Sequence, residues 1–547
     1  MAIKKVLISN FKQFKQEFII ELNNKINILV GNNEAGKSTI IEAINLAFTG
    51  IIDGKYIKNE ITQHLFNNET VYEYLDKLKD GKPAELPIIT IEIHIDEEDE
   101  PEFIGTENLH LESSCGFTLQ IAFNEDFKEE YEIFIKENEV TSLPIEYYDV
   151  QWLSFARKPI TPRRIPIKSA LIDSSSSKYK NGSDMYISRI IKNSLEVKEV
   201  IDISQAHRKL REDFKSEESV KQINKKIESK YTLSDKKVEL SVELLSKNAW
   251  ENSLTTYIDA VPFKHVGKGE QCLVKTELAL NSKKSKKAEI ILIEEPENHL
   301  SYSKLNQLLY RVNELNSDKQ MIISTHSSFV ANKLGLKNLL LLNSKKITKL
   351  DQLEDSTRFF FEKVSGYDTL RLLLCKKAVL VEGDSDELIV QKAYMNQNDG
   401  KLPIYDGVDV ISVGTSFLRF LEIADKIGIN VSVVTDNDGD LDSIEKKYDV
   451  YIGNNKRENI QICYDKTVDT SEWILPNNRR FNFNTLEPIF VRDNGIEKMN
   501  AVLGKSYSDI KELHKYMKSS KTECAMKIFE SDDSDLQFPD YILEAIK

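Results

Sequence analysis

Gly31-Asn32-Asn33-Glu34-Ala35-Gly36-Lys37-Ser38 fits a G-x-x-x-x-G-K-[ST] loop at every fixed position. Its flanks fit as well. Lys25 to Val30 reads as a short apolar strand (Ile26, Ile28, Leu29, Val30), and past Lys37 the residues Ile40, Ile41, Ala43, Ile44, Ala47 and Phe48 recur at helical spacing. A strand, this loop and then a helix aim backbone N–H groups and a helix N-terminus at a polyphosphate. Lys37 is placed to reach terminal phosphates and the Ser38 hydroxyl to hold Mg²⁺, so Gly31 to Ser38, with Thr39, is the expected ATP loop.

The rest of the chain sets bounds on what surrounds that loop. A length of 547 residues predicts two to four compact units. With 40% hydrophobic and 30% charged residues and no run of eighteen apolar ones, the composition is that of a globular protein with no membrane span. The N-terminus, Met-Ala-Ile-Lys-Lys-Val, lacks a signal peptide's apolar core, and a cytoplasmic location is expected. Cys115, Cys272, Cys375, Cys463 and Cys524 lie far apart without a C-x-x-C pair, which argues against a zinc ribbon or disulfide framework. A net charge of -14 does not advertise a nucleic-acid binder, but local basic patches can coexist with an acidic total.

Taken in order, Val6 to Ile8, Phe18 to Ile20, Ile88 to Ile95, Phe117 to Phe123 and Tyr131 to Ile135 read as strands of a β-rich lobe. From about Gln151 the text turns basic and irregular. Arg157, Lys158, Arg163, Arg164 and Lys168 stand among prolines, a candidate contact for a phosphate backbone. The run Ser174 to Ser177 follows, and then charged text to about Tyr257 with Ile187, Ile190, Ile191 and Leu195 at helical spacing, which predicts inserted helical hairpins. Strands return at Ile290 to Ile293, Met321 to Ile323 and Leu339 to Leu342. A second α/β unit opens near Ala378, with strands Ala378 to Val381, Val408 to Val413 and Val431 to Val434 alternating with helices. The expected division is 1–180 and 258–345 for the nucleotide domain, 181–257 for the insertion, 346–377 for a linker and 378–547 for the second domain.

The apolar strand Ile290 to Ile293 ends in Glu294-Glu295-Pro296-Glu297-Asn298-His299. Two carboxylates there set one where Mg²⁺ sits, Glu294 through water, and the next, Glu295, as general base for the attacking water. Upstream, His265-Val266-Gly267-Lys268-Gly269-Glu270-Gln271 places two glycines ahead of a helical run; downstream, Ser324-Thr325-His326 puts an imidazole at a strand's end. In this order the elements resemble the ABC-type ATPases of the SMC and RecF group. That resemblance implies that Gly267, Gly269 and Gln271 belong to a signature loop acting on ATP held by a partner subunit, and that His326 is a switch histidine. It also implies a head-to-head homodimer, with the helical insertion as its dimerisation segment. The signature reads Gly-Lys-Gly-Glu-Gln and departs from the group's LSGGQ.

A second acidic constellation follows two later strands: Glu382-Gly383-Asp384-Ser385-Asp386 after Val379 to Val381, and Asp436-Asn437-Asp438 after Val431 to Val434. In a parallel sheet both would deliver their side chains to the carboxyl edge, where ligands bind. Carboxylates converging there repel one another unless divalent cations neutralise them, and hard oxygen donors suit Mg²⁺ or Mn²⁺. The pair of motifs resembles a Toprim domain. An ABC-type ATPase followed by Toprim is similar to the OLD (overcoming lysogenization defect) nucleases, which include the nuclease of Gabija phage defence and effectors encoded beside some retrons. The resemblance implies an ATPase and metal-dependent DNA endonuclease with Glu382, Asp386, Asp436 and Asp438 as metal ligands. It adds Glu487 as a second-metal ligand, Lys521 as stabiliser of the pentacoordinate phosphate, a role in antiviral defence, and a helicase or retron reverse transcriptase as the kind of partner. The competing reading is an ATP-driven DNA clamp whose Toprim unit binds without cutting.

Overall fold

Two sheets flank the phosphate-loop helix. The computed structural model describes residues 1–52, 55–96, 100–137, 140–173, 179–180, 183–184, 191, 195–230, 240, 256–282, 286–315, 319–343, 346–350, 352–364, 369–475 and 478–547. They fall into two compact units, Met1–Thr325 with Ser344–Lys346, and His326–Asn343 with Ile347–Lys547.

In the first unit β1 (Ile3–Ser9), β2 (Phe18–Glu21), β4 (Ile89–Ile95), β5 (Ser114–Phe123) and β6 (Tyr148–Ser154) form an antiparallel sheet in the order β2-β1-β4-β5-β6. The other sheet is parallel, β7 (Ser169–Asp173), β8 (Ile290–Glu294), β9 (Gln320–Ser324) and β3 (Ile26–Gly31), in that order. β3 is buried on both faces, as its unbroken apolar run requires. Helix α1 (Lys37–Thr49) lies between the sheets, burying Ile40, Ile41, Ile44 and Phe48, and its Ala47 carbonyl accepts from Trp152 Nε1 at 2.9 Å. Gln320, 1% exposed at the start of β9, fastens one sheet to the other. Its Oε1 accepts from Ile3 N, and its Nε2 donates to Ile3 O and Asn23 O, each at 2.8 Å.

Tyr131 to Ile135, expected as a strand, is instead part of helix α2 (Lys128–Glu137). Tyr131 and Phe134, at i and i+3, share a face against Tyr147, and the Tyr131 hydroxyl meets that of Tyr74 at 2.7 Å. Ile133, inward in a strand reading, is 55% exposed. The spacing of the aromatic residues, not the density of apolar ones, decided the element. The described residues of the insertion include helices α3 (Val197–Ser216) and α4 (Glu218–Lys230). Ile187, Ile190, Ser174 to Ser177 and most of 231–255 lie outside the described residues. α5 (Lys268–Asn281) follows.

In the second unit the stretch expected as a linker carries helices α6 (Asp355–Lys363) and α7 (Thr369–Leu374), with Phe361 and Leu372 fully buried. Apolar residues at 361, 370, 372 and 373 are buried, Phe361 against Phe420, so this stretch packs on the second unit. A parallel sheet follows, β11 (Val408–Ser412), β10 (Lys377–Val381), β12 (Asn430–Val434) and β13 (Ile460–Cys463), in that order. Helix α8 (Asp384–Gln397) leaves the end of β10. The C-terminal helices α9 (Leu486–Leu503, broken at Gly495), α10 (Ile510–Ser519), α11 (Lys521–Glu530) and α12 (Asp540–Ile546) share a core with α8 and the sheet through Ile489, Leu513, Met517, Cys524, Ile528 and Ile542. Among the described residues no helix is long and apolar enough to cross a membrane.

Gln320→Met removes three buried backbone partners while keeping side-chain volume. It is expected to destabilise the first unit by about 2 to 4 kcal/mol, from roughly 1 kcal/mol or more per unsatisfied group, read by urea unfolding.

Candidate nucleotide and metal sites

Register brings the ATPase motifs to one edge. Glu294 at the end of β8 aligns with Ser324 of β9, which aligns with Leu29 of β3. Thr325 N donates to Leu29 O at 3.1 Å and Glu295 N to Ser324 O at 3.0 Å, so the end of β3 and the acidic turn are stitched through β9. Gly36 stands at φ 109, and a Cβ there would come within 2.1 Å of Gln13 Nε2 and 2.6 Å of Phe14 Cζ. Only glycine satisfies both the left-handed backbone and that approach. Ser38 and Asn32 to Glu34 are exposed, while Lys37 and Thr39 are buried. The Lys37 ammonium donates to Gly31 O at 2.8 Å and Asn32 O at 3.0 Å. Burial lowers its pKa against the opposing pull of Glu295 and Glu297. The ammonium rests on loop carbonyls that a polyphosphate would outcompete for it.

Glu295 holds φ 43 and His299 φ 62, left-handed conformations that cost energy in residues with a Cβ. Glu295 Oε2 accepts from Asn298 Nδ2 at 2.7 Å, and Glu297 Oε1 from the Thr325 hydroxyl at 2.7 Å. The two glycines of the signature-like segment differ in kind. A Cβ at Gly269 would lie 2.3 Å from the His299 carbonyl oxygen, so close approach within this chain demands that glycine, whereas Gly267 caps α5 exposed, with open space around it. Gln271 is buried, its amide donating to Phe263 O and Val266 O at 2.8 Å each. The expectation had it facing ATP; here it shapes the loop ahead of the helix. His326 is the residue after Thr325, where the second unit begins.

The second site forms the same way. Leu380 of β10 pairs with Val433 of β12, so Glu382 and Asp436 leave adjacent parallel strands at their carboxyl ends. Asn437 anchors the turn between the two aspartates. Its Nδ2 donates to Asp465 O at 2.7 Å and Thr467 O at 2.8 Å, and its Oδ1 accepts from Gly439 N at 2.9 Å. Asp438, exposed at φ 49, accepts from Asn482 Nδ2 at 2.8 Å. Asp386 caps α8, accepting from Gly383 N at 2.9 Å. Glu487, buried in the first turn of α9, pairs with Lys521 Nζ at 2.7 Å, and Lys521 opens α11. Asn437 and Asn482 were not singled out in the sequence; an Asn in a polar turn carries no signal until its partners are known.

These groups feel one another. Desolvation, together with Glu487 and Glu382, lifts Asp386 to about 6 against the Gly383 N–H and Lys521. Desolvation, with Asp386, Glu487 and Asp438, lifts Asp436 to about 8 against Lys521. Burial alone would lower Lys521, yet Glu487, Asp436 and Asp386 raise it. Among the described residues no three His, Cys, Asp or Glu side chains stand together as a finished metal cage. The expected set of Glu382, Asp386, Asp436, Asp438 and Glu487 is spread over an N–H, an amide and an ammonium, partners that offset its repulsion. Carboxylate oxygens are the hard donors a divalent cation takes, and Asp386 and Asp436 are the two whose charged form is disfavoured, first by burial and then by acidic neighbours.

Two cations of the basic segment pair with carboxylates of their own unit and a third is held by backbone carbonyls. Arg157 Nε pairs with Glu107 at 2.6 Å, Lys158 with Glu102 at 3.2 Å, and Lys168 Nζ donates to Arg163 O and Ile165 O. Arg163 and Arg164 stay exposed.

A phosphate-loop unit followed by a parallel sheet with an acidic rim defines an AAA-type ATPase domain joined to a Toprim domain. Residues 5–320 match the family described as AAA domain, and residues 373–438 the family described as overcoming lysogenization defect protein-like, TOPRIM domain. The chain belongs to the AAA-domain family, whose model covers more than half its length, and within its second unit residues 373–438 carry the OLD-like TOPRIM match. No curated protein sequence matches it. Among solved structures it is similar to an Smc head bound to the C-winged helix domain of ScpA, at 15% identity over 64% of this chain and 99% of that one, TM-score 0.34. It is similar also to the SMC head domain from Thermotoga maritima, at 13% identity over 62% and 94%, TM-score 0.28. The C-terminal region of the Xanthomonas campestris pv. campestris OLD protein matches at 19% identity over 32% and 92%, TM-score 0.24.

Asp436 links the site to stability. Its folded pKa of about 8 lies above its ordinary 3.8, so the penalty on its charged form is absent below the ordinary value, grows as pH rises through it and is complete above about 8. Asp436→Asn is expected to raise the melting temperature in metal-free buffer at alkaline pH, each pKa unit relieved being worth about 1.4 kcal/mol. Mn²⁺ is expected to stabilise the wild type there and not the variant. Calorimetry in which neither change occurs would refute the reading.

Proposed function

We propose that this chain is an ATP-hydrolysing, divalent-metal-dependent DNA endonuclease, acting as a homodimer in antiviral defence. The observation that supports cleavage most is the mutual charge coupling of Asp386, Asp436, Glu487 and Lys521 beside Glu382 and Asp438, drawn from two strand ends and two helix starts. Glu487 pairs with Lys521 at 2.7 Å, and Asp386 and Asp436 feel the charge of both, a coupling that supports a functional reading.

Glu382, Asp386, Asp436, Asp438 and Glu487 would hold Mg²⁺ or Mn²⁺, which when bound supplies an activated water and neutralises charge on the scissile phosphate. Asn437 keeps the Asp436–Asp438 turn in place, and Asn482 orients Asp438. Lys521, already held by Glu487, is the cation of this chain suited to stabilise the added charge of a five-coordinate phosphate. In the first unit Lys37 would clamp terminal phosphates of ATP, Ser38 and Glu294 would hold its Mg²⁺, and Glu295 would orient and deprotonate water. Gly267, the signature position with no demand from its own chain, is the part of that segment suited to a partner's nucleotide. ATP occupancy would bias the dimer between states that admit or exclude DNA.

Plasmid incubated with Mn²⁺ is expected to be cut by the wild type and not by Glu382→Ala or Asp438→Ala. Intact plasmid under every nucleotide condition would favour a clamp that binds without cutting. Lys37→Ala is expected to lose ATP binding, whereas Glu295→Gln keeps ATP but slows turnover by on the order of a hundredfold or more. Equal hydrolysis by all three proteins would show the site misread.

A further inference from the structure

The acidic total hides a local field of opposite sign in the second unit. Phe481 N donates to Trp473 O at 2.8 Å and Leu475 N to Arg479 O at 2.9 Å, pairing the hairpin limbs 473–475 and 479–481, with Arg479 and Arg480 exposed on the second limb. Helix α10 lies against it. Lys511 and Lys515 hold their ammonium groups 5.6 and 5.4 Å from the Trp473 ring centre, and Lys518 holds its own 4.8 Å from that of Phe481. Below them His514 is buried between Phe481 and Phe483, and desolvation lowers its pKa, so the charge of this face comes from the lysines and arginines. Arg480 shares its charge with Glu472 at 3.2 Å in a fully solvated pair. Among the described residues no carboxylate pairs with Lys511, Lys515 or Lys518, and all three are exposed.

Spacing and place say what the face is for. Positions i, i+4 and i+7 lie on one side of a helix, and Lys511 to Lys518 spans about 10 Å of axis, the length of two to three phosphates along one strand. The rings beneath fix the lysine heads in a fan by cation–π attraction and lower the entropy lost on gripping an anion. Phe481 is 4% exposed, so its ring offers no stacking platform for a base. The hairpin's last residue, Phe481, is followed by Asn482, whose amide donates to Asp438. A strand held on this face is one residue from the acidic rim.

We propose that the paired limbs 473–475 and 479–481, with the Lys511, Lys515, Lys518 face of α10, dock the phosphate backbone of duplex DNA, without regard to sequence, and present it to Asp438. The proposal deepens the nuclease reading but is tested by binding alone. Anisotropy of labelled duplex is measured with the full chain in EDTA, so that no cleavage occurs. Lys511→Glu/Lys515→Glu/Lys518→Glu is expected to bind at least about tenfold more weakly, and to flatten the slope of log affinity against log salt by about two to three. Lys511→Arg/Lys515→Arg/Lys518→Arg, which keeps the charge, is expected to bind within about threefold of the wild type. Thermal midpoints of both variants serve as the fold control.

Wild-type affinity in the glutamate variant, or a wild type that does not bind duplex, would overturn the proposal. So would polyglutamate displacing duplex as well as unlabelled DNA of matched charge, since the face would then fit an acidic protein. A wild type that binds through this face yet never cuts with any divalent ion would sink the nuclease reading and leave the docking surface standing. A wild type that cuts, with a glutamate variant that binds and cuts equally well, would do the reverse.

Discussion

Repulsion among carboxylates at the rim of one parallel sheet is the constraint that the second unit is built around. Adjacent parallel strands release Glu382 and Asp436 at the same sheet edge, and the turn held by Asn437 adds Asp438. Left bare, that rim would be untenable. The fold answers with an N–H for Asp386, an amide for Asp438 and the ammonium of Lys521 among the rest. The late helices α9 and α11, packed into the Toprim core, bring Glu487 and Lys521 to that rim as a pair.

The first unit solves a different problem, that of holding strained backbone at a strand edge. Gly36, Glu295 and His299 all sit at positive φ, and their turns are held by bonds running between strand ends and by the close approach of Gly269 to the His299 carbonyl. Gln320 locks the antiparallel sheet to the parallel one beneath that edge. Strain at such sites persists because the surrounding packing over-determines it.

Charge shows why composition is a poor guide to surface chemistry. The basic text from Arg157 to Lys168 stood out in the sequence, yet folding pairs it with Glu102, Glu107 and its own carbonyls. Lys511, Lys515 and Lys518 were not singled out in the sequence, yet folding sets them together over aromatic rings. Net charge sums over residues; a ligand meets only the part of the field that the tertiary fold leaves uncompensated.

The sequence by itself determined the phosphate loop, the acidic strand ends and the alternation of strand and helix in both units, because each is written in contiguous residues whose period or spacing is the signal. It misjudged Tyr131 to Ile135, where apolar density was taken without its spacing. Only the tertiary structure decided that Glu487 and Lys521 stand with Asp386 and Asp436, that Gln271 turns inward, and that Asn437 and Asn482 hold the acidic turn. Those outcomes depend on helices returning from far along the chain to one sheet edge, and local pattern carries no information about where a distant helix will dock.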